Sequence, residues 1–428
     1  MYDSWDDPGA PVWRPGVRTD GPATKPLITI VMHTQGMTRA NLIAVGASPL
    51  GETNLPGRDL FSKALAEAFE GLPDPADVVE GLYVGAQSER YENQIMQGTL
   101  MAEWAGLRNV PAERVEACAA AGALALKNAV RDVRAGVHDA VLACGVEKMT
   151  AGGTEGATNA LGAAFERALE QRSGITAPAT YALLARRYLH ETDATERDFG
   201  RIAVKNHRNA AANPRAMFQQ AVDIETVMDA PAVAPPLKLY DCAPVTDGAA
   251  AVVVANDEVA AELRSRPDTV HVAGVGSAAN NLAVAERDLT FVEGANVAAS
   301  TAYGDAGVDA ADIDVAEVHD AFTVCEALLA EAAEFAPEGR GIETVEDPTD
   351  RSAGWTDVRI NTSGGLKARG HPIGATGLLQ AVEAYEQLTG RAGDRQVADA
   401  DTALLINEGG VADAHTVAHV LTATDRGA

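Results

Sequence analysis

Short runs of apolar residues alternate with amphipathic segments along most of the chain. NLIAVGA at 41–47 reads as a strand, and from Leu60 to Gly71 apolar side chains recur at four-residue steps, which predicts an amphipathic helix. A second strand, LYVGA, follows at 82–86. This rhythm of strand, helix and strand is typical of an α/β protein.

The rhythm stops in the middle of the chain and then resumes. VHDAVLACGVE at 137–147 reads as a strand buried on both faces, and GAAAVVVAN at 248–256 resumes the sheet. Residues 148–245 hold Gly-rich turns, a Pro-rich stretch and three helical patterns, which lie around 160–171, 180–190 and 195–212. We interpret 148–245 as an inserted loop domain, because long excursions from a compact domain are usually functional.

Two parts of the chain have similar sequence patterns. Asp74 and Asp77 precede one strand, and a similar Asp pair precedes another strand at an offset of 235. The strand NLIAVGA has a partner, VHVAGVG, at an offset of 230. Two matches at nearly one offset predict an internal duplication. We therefore expect an N-terminal half at 37–265, which includes the loop domain, and a C-terminal half at 266–424.

Residues 1–36 are rich in Pro, Gly and Asp and show no sustained period, so we expect a loose extension. Met37 stands four residues before the first strand, and we hypothesise that the working protein begins at or near it. This N-terminus lacks the basic region of a secretory signal, and no apolar run in the chain approaches 18 residues. We therefore expect a cytoplasmic protein without a transmembrane helix.

The composition is strongly acidic. The formal net charge is −27, from 61 acidic and 34 basic residues, of which seven are lysines. Such a surface disfavours nucleic acid and anionic membranes as partners. It suits solubility in concentrated salt, so we interpret the chain as a halophilic cytoplasmic protein, the alternative being an ordinary acidic soluble one.

Cys118 stands just before a run of good helix formers that ends near Gly136. Unpaired N–H groups and the positive end of the helix dipole would there favour a thiolate. This segment alone leaves a nucleophile and a buried, inert cysteine about equally supported. The four cysteines show no C-x-x-C spacing, so we expect neither a zinc site nor a disulfide framework.

Three further stretches contain candidate chemistry. In EVHDAF, His319 and Asp320 follow a strand, where α/β sheets present ligand-binding groups, although a surface turn is the alternative. In NTSGGLKARGHPIGATG, five glycines surround His371. The segment has neither the G-K-[ST] ending of a phosphate-binding loop nor the glycine spacing of a dinucleotide-binding loop. In ALLINEGGVA, a strand precedes Asn407 and the pair Gly409–Gly410, whose N–H groups could hold an oxyanion unless this is an ordinary turn.

Together, VEACAAAGALA, HDAF, GGLKARGHPIGATG and NEGG resemble the motifs of the thiolase superfamily, most closely its sterol-carrier-protein-2-type and archaeal members. The resemblance spans roughly 38–424. It implies two duplicated βαβαβαββ halves in five layers, α/β/α/β/α, with an inserted loop domain. It also implies a homodimer or dimer of dimers.

The resemblance assigns roles by position. It implies that Cys118 is the nucleophile, that His371 is the base that activates it, and that His319 helps to hold an enolate oxyanion. The N–H groups of Cys118 and Gly409 would form a second oxyanion hole. Phe322 is interpreted as a packing residue.

One departure from the family concerns proton transfer. Many thiolases have a second cysteine where this chain has Asn407, which cannot exchange a proton. Relatives with a cysteine inside the histidine motif differ here too, because this chain has Ala321, and Cys325 would lie about 6 Å further along a helix. We hypothesise that His319 or His371 takes over the proton transfer at carbon 2.

The resemblance implies an acyl-CoA C-acetyltransferase (β-ketothiolase) that makes or cleaves acetoacetyl-CoA or a short 3-ketoacyl-CoA. The only cofactor expected is the coenzyme A of the substrate, with no metal. A zinc-ribbon/OB-fold subunit and a hydroxymethylglutaryl-CoA synthase are plausible partners. The alternatives are another condensing or retro-aldol enzyme of the same fold, or a non-catalytic acyl-CoA- or lipid-binding subunit.

Overall fold

The computed structural model describes residues 38–264, 268–345 and 357–424. The expected extension at 1–36 and the proposed start at Met37 lie outside these residues. The strands are β1 (Asn41–Ala47), β2 (Gly81–Gly85), β3 (Ala112–Val115), β4 (Ala140–Lys148), β5 (Ala232–Ala234), β6 (Leu237–Lys238), β7 (Asp247–Ala255), β8 (Val270–Ala279), β9 (Val315–Glu317), β10 (Arg359–Ile360), β11 (Thr402–Gly409) and β12 (His415–Ala423).

The α-helices connect and cover these strands. They are α1 (Gly57–Ala68), α2 (Pro75–Val78), α3 (Gln97–Trp104), α4 (Ala121–Arg134), α5 (Gly153–Gly162), α6 (Ala177–Glu191), α7 (Glu196–Ala211), α8 (Ile224–Met228), α9 (Asp257–Leu263), α10 (Glu293–Ala306), α11 (Thr323–Ala332) and α12 (Thr376–Leu388).

The main sheet shows the duplication directly. Its strand order is β10-β9-β11-β12-β8-β1-β7-β4-β2-β3. Read outward from the centre, the first half runs β1-β7-β4-β2-β3 and the second β8-β12-β11-β9-β10, so corresponding strands occupy corresponding places. The two halves meet through a short antiparallel contact in which Asn41 pairs with His271 and Leu42 with Val270. The predicted βαβαβαββ repeat is confirmed.

Three apolar clusters define the layers. The central cluster contains α4 and α12 together with strand residues of both halves, such as Leu42 and Leu405. Their sequence neighbours point to the opposite faces of the sheet: Ile43 packs with α1, and Leu404 packs with α10 and α11. Helices therefore lie between the two halves of the sheet and outside each of them, which is the expected α/β/α/β/α arrangement.

The segment between β4 and β7 contains α5 to α8 and the β5–β6 hairpin. The helical patterns at 180–190 and 195–212 correspond to α6 and α7, but the helix expected at 160–171 is wrong. The helix there is α5, which ends at Gly162. Beyond it, the Glu166 carboxylate accepts a hydrogen bond from the N–H of Leu169 (2.6 Å), so a local side chain competes with helical pairing.

The chain brings the candidate motifs to one edge of the sheet. β2, β3 and β4 are parallel to one another, as are β9, β10 and β11. Cys118 follows β3, His319 follows β9, and Asn407 lies near the end of β11. Open α/β sheets bind ligands at the carboxyl ends of their strands.

Candidate active site

Cys118 occupies a strained turn. It opens the 3₁₀ turn Cys118–Ala120, directly before α4, and its φ is +50°, which is uncommon for a residue with a side chain. Such strain persists where the surroundings enforce it and is frequent at functional sites. Gly409 permits this turn, because a Cβ at Gly409 would lie 1.9 Å from the carbonyl oxygen of Ala117.

The Cys118 thiol is protonated at neutral pH. Burial raises its pKa to about 11, and the charges of Glu116 and Glu147 add to this. Hydrogen bonds from the backbone N–H groups of Gly410 and Ala119 act in the opposite direction. The expectation of a thiolate at the start of the helix is therefore wrong for the resting protein, because burial outweighs the local N–H groups.

The N–H of Cys118, expected in an oxyanion hole, is engaged. It donates a hydrogen bond to Oε1 of Glu116 at 2.6 Å. Glu116 is exposed, so its carboxylate can exchange this bond for water. A carbonyl oxygen that binds to the Cys118 N–H must therefore displace Glu116.

His371 is held from both sides. Its backbone N–H donates to Oγ1 of Thr246 (3.0 Å), and its Nδ1 lies 2.8 Å from Oγ1 of Thr376. The Thr376 hydroxyl donates to the carbonyl oxygen of Pro372 (3.3 Å), which leaves its oxygen to accept from Nδ1–H. Nε2 then keeps a lone pair and can act as a base.

Burial lowers the pKa of His371 to about 3, and the charge of Arg369 lowers it further. The ring is neutral at physiological pH, as a general base must be. The turn Ile373–Ala375, which follows His371, packs against the turn that contains Cys118, and Ile373 lies in the apolar cluster around Cys118. The structure thus brings these two motifs together.

His319 lies beside His371, edge to face, with ring centroids 5.1 Å apart. Burial, and after it the charges of His371 and Arg369, hold the pKa of His319 well below its usual range. Nδ2 of Asn407 donates to Nδ1 of His319 at 2.9 Å. A neutral His319 that accepts at Nδ1 carries its proton on Nε2, where it is a hydrogen-bond donor.

Asp320 connects the two histidine motifs through hydrogen bonds. Its carboxylate accepts hydrogen bonds from the backbone N–H groups of Leu366 (2.6 Å) and Lys367 (3.3 Å) in the glycine-rich segment. It also accepts one from Nδ2 of Asn206 on α7 (2.7 Å). Asp320 is fully buried, so it is a structural tie between motifs rather than a surface turn residue.

Glu147, at the end of β4, was not singled out by the sequence. Its carboxylate accepts hydrogen bonds from the N–H groups of Gln87 (2.7 Å), Ser88 (3.4 Å) and Gly374 (3.0 Å). Burial raises its pKa to about 7. It joins the loop after β2 to the loop of His371. The sequence signal that could have identified Glu147 is an acidic residue near the end of a strand that is otherwise apolar.

The remaining candidates lie around the site. Gly410, whose N–H bonds to the Cys118 sulfur, has a φ of +82°, and its carbonyl oxygen accepts from the Tyr181 hydroxyl (3.4 Å). Phe322 stacks on Tyr181 with ring centroids 4.3 Å apart. Cys325 is buried in the outer cluster of the second half, where burial raises the pKa of its thiol well above the usual range.

All four cysteines are free. In the part of the chain that the structure describes, no group of three or more His, Cys, Asp or Glu side chains could hold a metal ion. None of the described helices is long and apolar enough to cross a membrane.

Comparisons with known families cover nearly the whole described chain. Residues 37–258 match the model of the "Thiolase, N-terminal domain", and residues 276–423 match that of the "Thiolase C-terminal domain-like" family. The first segment contains β1 to β7, and the second contains the end of β8 and β9 to β12.

Individual relatives agree with the family models. The chain is 39% identical to an acetyl-CoA acetyltransferase of Methanothermobacter thermautotrophicus, over 86% of this chain and 96% of that one. It is 32% identical to sterol carrier protein 2 of Gallus gallus, over 87% of this chain and 70% of that one. The solved structure of the Ltp2-ChsH2(DUF35) aldolase has the same fold, with a TM-score of 0.76 at 23% identity, covering 91% of this chain and 98% of that one.

Proposed function

Because the chain belongs to the thiolase family and is an acyltransferase, we propose that it is an acyl-CoA C-acetyltransferase acting through an acyl-thioester on Cys118. Its substrates would be acetyl-CoA and acetoacetyl-CoA or another short 3-ketoacyl-CoA. The observation that supports this most is the pairing of the two neighbouring histidines with different partners at Nδ1, Thr376 for His371 and Asn407 for His319. From these partners we infer opposite tautomers for the two rings.

The first half-reaction needs one base. As the Cys118 sulfur attacks the carbonyl carbon of acetyl-CoA, Nε2 of His371 takes the thiol proton. It returns that proton to the sulfur of the departing CoA, so the products are acetyl-Cys118 and free CoA. The carbonyl oxygen would be held by the N–H groups of Cys118 and Gly409, once Glu116 has moved aside.

The second half-reaction uses the same base again. His371, neutral once more, takes a proton from carbon 2 of a second acetyl-CoA, and His319 donates from Nε2–H to the enolate oxygen. The enolate attacks the acetyl carbon, the Cys118 sulfur leaves, and it recovers the proton from His371. One base thus serves both steps, and the second cysteine of other thiolases is not required.

The proposal needs no cofactor beyond the CoA of the substrate. The similar aldolase structure contains a second component, a DUF35 protein. We extend this to a partner subunit for the present chain. A dimer and a hydroxymethylglutaryl-CoA synthase partner belong to the same proposal.

The test is acylation. The purified protein is incubated with acetyl-CoA at high salt and its tryptic peptides are examined by mass spectrometry. An acetyl group is expected on Cys118 but not on Cys242, which is a partly buried thiol and serves as an internal control. Thiolysis of acetoacetyl-CoA by added CoA should follow. If no adduct forms, with or without co-purifying proteins, acyl transfer through Cys118 is ruled out, and a retro-aldol enzyme or a binding subunit is the better description.

A retro-aldol enzyme is the second candidate. The observation that favours it is Asn407, because a side chain that cannot titrate stands where a thiolase acid–base cysteine is expected. The similar fold of the aldolase structure is compatible with this second candidate. Retro-aldol cleavage forms no thioester on the protein, so the acylation experiment separates the two reactions.

A further inference from the structure

Tyr91 has a buried hydroxyl without a protein partner. The residue is 7% exposed, and its OH makes no hydrogen bond to any described part of the chain. An unpaired buried hydroxyl costs free energy, so protein interiors normally satisfy it. The other buried tyrosines of the described chain all make a hydroxyl hydrogen bond, namely Tyr83, Tyr181, Tyr188, Tyr303 and Tyr385.

The side chain of Tyr91 packs near Cys118, the proposed nucleophile. Tyr91 belongs to the small apolar cluster against which Cys118 packs, together with Ala119, Met149, Ala157, Ala160 and Ile373. Among these side chains, the Tyr91 hydroxyl is the one hydrogen-bond donor. Burial raises the pKa of Tyr91, and Glu147 and Cys118 raise it further when they are ionised, so the phenol keeps its proton. The site therefore has an apolar wall with a single free donor.

We propose that Tyr91 is a substrate-binding residue whose hydroxyl donates a hydrogen bond to an oxygen atom of the acyl group bound at Cys118. The inference rests on the proposed acyl transfer. Tyr91 lies outside the four motifs that support the family, so it identifies a contact that those motifs do not contain. The apolar wall accepts the carbon chain, and the hydroxyl selects acyl groups that offer an oxygen at this point.

The oxygen could be one of two carbonyls. Acetyl-CoA offers only the thioester carbonyl that Cys118 attacks, whereas acetoacetyl-CoA offers two carbonyl oxygens. The effect of removing the hydroxyl on acylation by each substrate tells them apart. A loss with both substrates indicates the reacting carbonyl, and a loss with acetoacetyl-CoA alone indicates the additional one.

Water is the competing occupant. Tyr91 also lines a small cleft with Gln97, whose Oε1 is likewise buried and without a protein partner. A water molecule in that cleft could satisfy both groups. In that case the hydroxyl would serve the structure, and its removal would lower stability without slowing the reaction.

The test compares Tyr91→Phe with Tyr303→Phe. Tyr303 is equally buried, at 7%, but its hydroxyl donates to the carbonyl oxygen of Ala333 (3.0 Å). For Tyr91→Phe we expect an unchanged or raised melting temperature and a fall in acylation kcat/KM of about 10- to 100-fold. For Tyr303→Phe we expect a lower melting temperature with unchanged kinetics per folded enzyme.

The outcomes are distinct. A Tyr91→Phe protein with wild-type kinetics overturns the inference, whatever its melting temperature. A variant that is less stable but kinetically normal assigns the hydroxyl to a buried water. If the wild-type protein fails to acylate Cys118, the proposed function falls instead, and that result is visible before any variant is made.

Discussion

Asn407 donates a hydrogen bond to Nδ1 of His319, over 2.9 Å and between residues 88 positions apart in the sequence. This bond fixes which ring nitrogen of His319 carries the proton. In the reaction that we propose, Asn407 is thus a positioning residue that acts through His319.

Asn407→Asp should reverse the tautomer. A carboxylate accepts a hydrogen bond, so it would draw the His319 proton to Nδ1 and remove the donor from Nε2. We expect acetylation of Cys118 by acetyl-CoA to continue near the wild-type rate, while formation of acetoacetyl-CoA falls about 100-fold. Rapid-quench mass spectrometry measures the first step and product chromatography the second. Equal losses in both steps would contradict this division of roles.

Thr376→Val should slow acylation itself. Valine matches the shape of threonine but cannot accept from Nδ1–H of His371, so the lone pair on Nε2 is no longer enforced. A roughly 10-fold slower acetylation of Cys118 is expected. Thr180→Val on α6 is the control, because Thr180 is equally buried and its hydroxyl bonds only to the carbonyl oxygen of Thr176 (3.2 Å). It should leave the rate unchanged.

Alkylation of Cys118 by iodoacetamide should be slow at neutral pH. With a pKa of about 11, against an ordinary value of 9.0, the thiolate fraction at pH 8 is about 100-fold below that of a free cysteine. The rate, followed by peptide mass spectrometry, should rise up to about pH 11. A plateau below pH 8 would instead indicate a thiolate–imidazolium pair with His371.

Glu116→Gln should speed that alkylation. Glu116 raises the pKa of Cys118 by its charge, so its neutralisation enlarges the thiolate fraction, and we expect a few-fold faster reaction at pH 8. Glu113→Gln, an exposed change on β3, is the matched control. If both variants react alike, the carboxylate of Glu116 does not control the thiol.

Glu147→Gln should flatten the dependence of stability on pH. The pKa of Glu147 is raised from 4.5 to about 7, so the folded state favours the protonated carboxyl. Its stabilisation is complete below about pH 4.5 and is lost as the pH rises through about 7, by about 3 kcal/mol in all. Urea unfolding at pH 5 and pH 8 should show this loss in the wild type and in the exposed control Glu103→Gln, but not in Glu147→Gln.

The sequence predicted what depends on local pattern. β1 spans 41–47 as expected, and His319 follows β9, which ends at Glu317, as the sequence predicted. The helix at 160–171 was wrong because a side chain, Glu166, competes locally for a backbone N–H, and residue propensity does not contain that competition.

In the candidate site, the difference between what local sequence predicts and what tertiary structure determines is larger. The residues that flank Cys118 predict a lowered pKa, whereas the structure raises it, because burial comes from segments distant in the sequence. The hydrogen bond from Asn407 to His319 and the unpaired hydroxyl of Tyr91 are likewise products of tertiary structure. No pattern of residues in the sequence predicts these two features.

The junction of β1 with β8 has a consequence for biosynthesis. Cys118 belongs to the first half of the sheet, whereas His319, His371 and Asn407 belong to the second. A nascent chain on the ribosome therefore presents Cys118 long before it has made these three residues, and β11 is among the last strands to emerge. The site that we propose can assemble only after the second half has been synthesised and β8 has paired with β1.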